Sequence, residues 1–290
     1  MTSKYPHIFV VGNGFDIDLN LKTSYTDFIY SEVFKKLITD NENHLCSYLK
    51  DKHDLVNWSD IEKELAVYSR KAKKYKIGNI DKTEAFPNAE TFEREYKELS
   101  AALVEYLSSL DYNAIDKKST AYQLLKNQRN NSYLFIDFNY TPSLKNILSH
   151  SCMDTSLSES TIIKPHNSLK AKDIIFGVED NADILPNYIF LKKSFSNYYN
   201  CSNFSEYLEN ADSVIFFGYS LGCTDHDYFR DFFTGCCGKL ESKEIKIYYS
   251  KNCDSIKKEM DTLTGTQFGK FRRRNNIEFI DTSQNKKDRE

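Results

Sequence analysis

The sequence has none of the long hydrophobic runs, charge excesses or metal-binding spacings that identify several large classes of protein. No apolar stretch approaches the roughly 20 residues that a membrane-spanning helix requires. The 39 lysines and arginines nearly balance the 42 aspartates and glutamates, which leaves a net charge of −3. This balance gives no overall field that attracts nucleic acid or an anionic membrane. We therefore expect neither a membrane nor nucleic acid among the partners.

Cysteine and histidine are also few and poorly spaced for a metal centre or a disulfide framework. The seven cysteines contain no CxxC pair, and the six histidines contain no HExxH or similar pair. The N-terminus lacks the long apolar segment and the small-residue cleavage site of a signal peptide. These absences predict a reduced, cytoplasmic chain that holds no metal.

Aromatic residues and short strand-like runs are abundant. Twenty Phe and twenty Tyr bury a large area per side chain, so 290 residues suffice for a sizeable core. Three runs of β-branched and aromatic residues end in polar turns, at 7–16, 133–141 and 213–222. Weaker strand candidates lie at 161–166, 173–178, 244–250 and 277–281. Such runs are typical of buried parallel strands, so we predict an α/β fold with a Rossmann-like, mainly parallel sheet.

The chain between the first two runs has a different composition. Residues 26–75 and 89–128 are rich in Lys, Glu and Leu at helical spacing. We therefore predict a single α/β domain over residues 1–283 that carries a large helical insertion at about 26–130. Residues 284–290 form a polar tail.

The first run ends in a glycine turn, Gly12-Asn13-Gly14-Phe15-Asp16, that suits a ligand approaching the backbone. Its amides can cradle a phosphate at the start of a following helix, and a plain tight turn is the alternative. The turn departs from the dinucleotide fingerprint because Ile17 occupies the third glycine position. Asp16 and the run Thr23-Ser24-Tyr25 add groups that suit a ribose and a phosphate. Thr23-Ser24 also reads as a helix N-cap.

Two other turns carry single polar residues at strand ends. Asn139 has an amide that can hold a water or a sugar hydroxyl, or cap the next helix. His166 has an imidazole suited to a general base near neutral pH, although a lone histidine is more often structural.

The last turn, GYSLGCTDHD at residues 218–227, is rich in hydrogen-bond donors. Asp225 is placed to begin the next helix. Its first five residues also satisfy the GxSxG hydrolase elbow around Ser220. That elbow requires an acid and then a histidine downstream, and Asp225 and His226 lie too close in sequence. A further segment, WSDIE at residues 58–62, predicts a helix with Ser59 as N-cap and Glu62 as its capping-box partner.

Taken together, these segments resemble the AbiH family of bacteriophage abortive-infection proteins. GNGFDIDLNLKTSYTDF, WSDIE, FNYT, the histidine segment, IIFGV and GYSLGCTDHDY follow in that family's order. The family is in turn similar to the sirtuin-like, NAD-handling α/β fold. The resemblance implies NAD as substrate or ligand, with no metal.

The resemblance also implies a role for each matching residue. Gly12, Gly14 and Asp16 form a phosphate and ribose loop that residues 23–25 continue. Asn139 orients a water and His166 acts as the base. Gly218, Ser220 and Asp225 hold the distal part of the dinucleotide. His166-Asn167 departs from the family's usual His-Gly pair, as do Asn20 and Lys22 from the small residues expected before Thr23.

We therefore expect an NAD glycohydrolase that depletes NAD on infection. The alternative is a sensor or interaction module in phage defence that binds NAD or ADP-ribose without turnover. The sequence leaves open whether the chain forms a homo-oligomer and which phage component triggers it.

Overall fold

The structure, a computed structural model, consists of two compact units. The first contains Met1–Leu21, Asp111–Pro165 and Asn200–Glu290, and the second contains Lys22–Leu110 and His166–Tyr199. The residues described are 5–52, 55, 57–76, 88–126, 133–151, 162–171, 173–199, 204–250 and 253–283. The predicted polar tail lies outside them.

The first unit is built on one parallel sheet of six strands. The strands are β1 (His7–Val11), β2 (Tyr133–Asp137), β3 (Ile162–Ile163), β4 (Ser213–Phe217), β5 (Glu244–Tyr249) and β6 (Asn276–Asp281). Their order is β3-β2-β1-β4-β5-β6, and every neighbouring pair is parallel. This is the doubly wound Rossmann order, whose direction reverses between β1 and β4. The predicted fold class is confirmed.

Helices fill the connections between the strands. They are α1 (Asn13–Asp18), α2 (Tyr25–Ile29), α3 (Glu32–Thr39), α4 (His44–Lys50), α5 (Trp58–Lys76), α6 (Ala89–Ser108), α7 (Thr120–Leu125), α8 (Ser143–Ser151), α9 (Phe204–Asn210), α10 (His226–Cys236), α11 (Asp254–Leu263) and α12 (Phe268–Arg274). Short 3-10 helices lie at Leu169–Ala171, Pro186–Leu191, Lys193–Phe195 and Cys223–Asp225. Within the described ranges, none of the helices is both long and apolar enough to cross a membrane.

The continuous hydrophobicity of the central strands follows from burial on both faces of the sheet. Val10 and Phe216 belong to a core cluster on one face, which includes side chains of α10 and α11. Phe9 and Phe217 belong to the cluster on the other face, which includes side chains of α1, α7 and α8. Because successive strand residues point to opposite faces, a strand covered on both sides requires apolar residues at every position.

The second unit is mainly helical and has an aromatic core that includes Tyr68, Phe92 and Tyr188. Its first helix, α2, begins as one of the two sequence interpretations predicts. Ser24 is the N-cap, and its side chain and that of Asp27 form a complete capping box.

Two local predictions in the second unit are wrong. Residues 173–178 form no strand, because their amides bond to scattered partners and only Val178 makes a β-bridge, to Lys192. Ser59 is not an N-cap, because α5 already begins at Trp58. A different local pair lies there, in which the Asn57 amide donates to the Asp60 carboxylate at 2.9 Å.

The turns that follow β1 and β4 pack directly on each other through glycines. The Gly14 amide donates to the Gly218 carbonyl at 2.8 Å, and a Cβ on Gly14 would lie 2.6 Å from the Gly218 Cα. Gly218 itself has a φ of +59°, in the left-handed region that favours glycine. No side chain larger than hydrogen fits at this contact.

We therefore expect Gly14→Ala to lower the free energy of unfolding by about 1–3 kcal/mol, because backbone must move to admit the methyl group. Urea unfolding of the purified variant measures this loss. Gly269→Ala is the control, since its nearest neighbour would lie at 3.8 Å. An equal, small effect of both substitutions would contradict the steric account.

Candidate functional site

The sequence-predicted turns of the first unit meet at the carboxyl ends of β1, β2 and β4. The Gly12 amide donates to the Phe217 carbonyl at 3.1 Å, and the Phe138 amide donates to the Val11 carbonyl at 3.0 Å. Asn139 reaches the first turn with its side chain, which donates from Nδ2 to the Gly12 carbonyl at 3.1 Å. This is the reversal point of the strand order, where open α/β sheets bind their ligands.

The glycine turn differs from a preformed phosphate cradle. The amides of Gly12, Gly14 and Phe15 donate to the carbonyls of Phe217, Gly218 and Gly12. The space beside Gly14 is filled by the chain itself and not left for a ligand. These three amides therefore hold the turn in place, and a dinucleotide would have to be recognised by other groups.

Asn139 is such a group. Because a carbonyl can only accept, the contact with Gly12 fixes the amide with Nδ2 toward Gly12 and Oδ1 away from it. No hydrogen bond to Oδ1 is present among the residues that the structure describes. Asn139 does not cap a helix, since α8 begins at Ser143. The result is an immobilised amide with an unused acceptor oxygen at the sheet edge.

A partly buried ion pair that the sequence motifs did not indicate holds the loop around Asn139. Lys164 Nζ donates to Asp137 Oδ2 at 2.6 Å, and to the carbonyls of Asn139 and Thr141 at 2.6 and 2.9 Å. The other carboxylate oxygen of Asp137 accepts a hydrogen bond from the backbone amide of Asn139 at 3.0 Å. Burial raises the pKa of Asp137, while Lys164 opposes the rise. The only sequence signal was an acid and a lysine at two strand ends.

Asp16 belongs to a second buried cluster, with Thr141 and Ser143. Its two carboxylate oxygens accept from the Thr141 and Ser143 hydroxyls, and those hydroxyls lie 2.9 Å from each other. The three contacts form a closed ring. Burial raises the pKa of Asp16 to about 6, although the hydrogen bonds from Ser143 and Thr141 oppose the rise.

The turn after β4 is held by hydrogen bonds between its own residues. The Tyr219 hydroxyl donates to Asp225 Oδ2 at 2.8 Å, and α10 begins directly after Asp225, as predicted. His226 Nε2 lies 3.0 Å from both the Leu221 carbonyl and Glu259 Oε2. Ser220 is exposed and forms no hydrogen bond with Asp225 or His226. The described residues therefore provide no triad for the hydrolase elbow.

The remaining predicted site residues lie in the second unit. Thr23 is buried and its carbonyl accepts from Trp58 Nε1 at 3.0 Å. The buried Tyr25 hydroxyl donates to the Leu49 carbonyl, and burial raises its pKa. His166 is 6% exposed, at a turn. The next residue, Asn167, has a φ of +66°, the conformation that a glycine adopts readily.

The described residues contain no group of three or more His, Cys, Asp or Glu side chains placed to hold a metal ion. The arrangement in the first unit is one of fixed hydrogen-bonding groups. Among these described groups, Asn139 has its acceptor oxygen Oδ1 directed away from Gly12.

We expect the Asp16 carboxyl to make stability depend on pH. Its pKa is about 3.9 in the unfolded chain and about 6 in the folded one, so the native state binds more protons between these values. The free energy of unfolding therefore falls as pH rises through this window, by on the order of 3 kcal/mol from this group.

Asp16→Asn keeps a donor and an acceptor in the ring and removes that titration. Urea unfolding from pH 4 to pH 8 measures the difference between variant and wild type, which should grow in favour of the variant up to about pH 6. Asp231→Asn, at an exposed aspartate, is the control. Parallel pH profiles for wild type and Asp16→Asn would contradict this account.

Comparison with known proteins supplies the family. The chain matches the family model described as "Bacteriophage abortive infection AbiH" over residues 8–250, which is most of its length. No curated protein and no solved structure matches it. The matched range includes both glycine turns, Asn139, Lys164 and His166. The chain therefore belongs to the AbiH family of bacteriophage abortive-infection proteins, and membership implies a role in phage defence.

Proposed function

We propose that the chain binds NAD at the carboxyl edge of its sheet and hydrolyses the bond between nicotinamide and ribose, which depletes NAD in an infected cell. The observation that supports this best is the immobilised Asn139 amide with its unused Oδ1 at the reversal point of the sheet. The sirtuin-like resemblance of the sequence supports the choice of NAD.

For this reaction, the main task of the protein is to position the ribose and one water molecule. The nicotinamide leaves as a neutral base because it starts as a cationic pyridinium, so no acid is required. The ribose carbon passes through an oxocarbenium-like state, and a water oxygen adds to it while losing a proton. The protein has to exclude bulk water and orient that one molecule.

Each residue has a proposed part in this scheme. Asn139 Oδ1 accepts a hydrogen bond from the attacking water. His166 accepts the proton, an assignment that rests on the family resemblance alone. Gly218 and the exposed Ser220 bind the distal nucleotide, and Asp225 keeps their turn in shape through Tyr219.

The ribose loop is proposed on the same resemblance for residues 12–16 and 23–25. Asp16 is buried, and both of its carboxylate oxygens already accept hydrogen bonds from Thr141 and Ser143. Its proposed role is therefore to hold that loop in place.

One observation favours the second candidate, an NAD or ADP-ribose sensor without turnover. The amides of Gly12, Gly14 and Phe15 are all occupied by protein carbonyls. A loop closed in this way suits binding through side chains better than stabilising charge that develops during a reaction.

The test is proton NMR of NAD mixed with the purified chain. We expect free nicotinamide to appear with wild type, and Asn139→Ala to slow its release about 100-fold while NAD resonances still broaden. His166→Ala should abolish release. Asn276→Ala, at an exposed asparagine of β6, is the matched control and should match wild type.

Broadening without nicotinamide release in wild type would favour the sensor. An unchanged NAD spectrum would reject NAD as the ligand of the isolated chain. Release that persists in Asn139→Ala would reject Asn139 as the residue that orients the water.

A further inference from the structure

The WSDIE segment has a function that its predicted capping role does not explain. Glu62 lies within α5, inside the second unit, and only 5% of the residue is exposed. Lys193, which is 4% exposed, places its Nζ 3.0 Å from Glu62 Oε1 and 3.1 Å from Oε2. The pair is therefore a buried salt bridge between α5 and a distant segment of the same unit.

Burying two charges is costly, and a buried salt bridge is weak evidence for stability as such. Such pairs are better explained by the arrangement that they enforce. A third contact indicates which arrangement this is, because the Gly177 amide donates to Glu62 Oε1 at 3.2 Å. Glu62 thus joins the segment around Gly177 to the one around Lys193.

These two segments also bond to each other directly. The Val178 amide donates to the Leu191 carbonyl at 2.8 Å, and the Lys193 amide donates to the Val178 carbonyl at 3.0 Å. A Cβ on Gly177 would lie 2.1 Å from the Leu191 carbonyl oxygen, so the backbones approach as closely as they can. Together with the bond to Glu62, these contacts hold the backbone of Gly177 and Val178 against the segment around Lys193.

That backbone in turn holds the His166 turn. The Ile175 amide donates to the His166 carbonyl at 3.0 Å. Asn167 Nδ2 donates to the Asp173 carbonyl at 2.7 Å, which ties down the residue whose φ is +66°. Only Phe176 separates Ile175 from Gly177, whose amide donates to Glu62.

We infer that Glu62 and Lys193 are positioning residues for His166, acting through the backbone of residues 173–178. The inference that this matters for catalysis rests on the proposed function, in which His166 is the base. The conformational part stands on the second unit alone. Sequence reading missed it because Lys193 lies 131 residues from Glu62.

The test is Glu62→Gln, observed through the histidine ring resonances of the full chain in a two-dimensional carbon–proton spectrum. His166→Ala identifies the His166 signal. We expect that signal to shift or broaden in Glu62→Gln, while the His226 signal, from the first unit, stays in place.

Glu64→Gln is the matched control. Glu64 lies on the same helix and pairs with Lys52 at 3.2 Å, away from the segment that carries Gly177. It should leave the His166 signal unchanged. An unchanged His166 signal in Glu62→Gln would overturn the inference, as would an equal shift in both variants.

A second variant covers the case in which Glu62→Gln does not fold. Glu62→Met with Lys193→Met removes both charges and keeps apolar volume, an exchange that buried pairs often tolerate. The Gly177 amide still loses its acceptor, so the His166 signal should still move. A folded double variant with an unchanged signal would reject the inference.

Kinetics then test the catalytic consequence separately. If wild type releases nicotinamide, the double variant should lower kcat roughly 10- to 100-fold with little change in KM for NAD. An unaltered kcat would reject positioning for catalysis. Absence of release in wild type would reject the proposed function, while the NMR result still decides the conformational part.

Discussion

The candidate site depends on one partly buried ammonium group. Lys164 Nζ gives all three of its donors to the loop between β2 and α8, namely to the Asp137 carboxylate and to the carbonyls of Asn139 and Thr141. These contacts restrain the loop at Asn139, and the hydrogen bond from Asn139 Nδ2 to the Gly12 carbonyl directs Oδ1 away from Gly12. Such preorganisation is what positioning chemistry requires, because no part of the catalytic group must be ordered when the ligand arrives.

In both units, a carboxylate paired with a lysine holds the segment that carries a residue with a proposed role. In the first, a carboxylate and a lysine hold the Asn139 loop, and in the second Glu62 and Lys193 hold the segment that binds the His166 turn. Both carboxylates are buried and accept a hydrogen bond from a backbone amide as well as from their lysine, so the local conformation depends on these hydrogen bonds. Removing these charges from water costs free energy, and for the same reason burial raises the pKa of Asp137.

The sequence predicts the sheet well because a strand buried on both faces has a signature that little else imitates. Six of the seven strand candidates are strands, and the family motifs lie at the ends of β1, β2 and β4. Residues 173–178 have the same composition but form no strand. Their apolar side chains are buried in a unit whose described residues form no sheet, so burial alone produces the pattern. Element type there is decided by neighbours that composition does not reveal.

The groups that hold the site could not be predicted for a related reason. Lys164, Thr141 and Ser143 look like ordinary surface residues until the fold brings them to buried carboxylates. The role of Glu62 was concealed by a local motif that offered a simpler explanation, the capping box. Local motifs identify residues at strand ends, while the groups that hold those residues are set by tertiary contacts between distant parts of the chain.

The contact between Gly14 and Gly218 has an evolutionary consequence. Each glycine occupies the space that a Cβ on the other would need, and the obstructing atoms are backbone atoms of the partner. A side-chain change elsewhere cannot make room, so a substitution at either position has no compensating partner. The two glycines, more than 200 residues apart in sequence, should therefore be inherited together wherever this reversal of the sheet is kept.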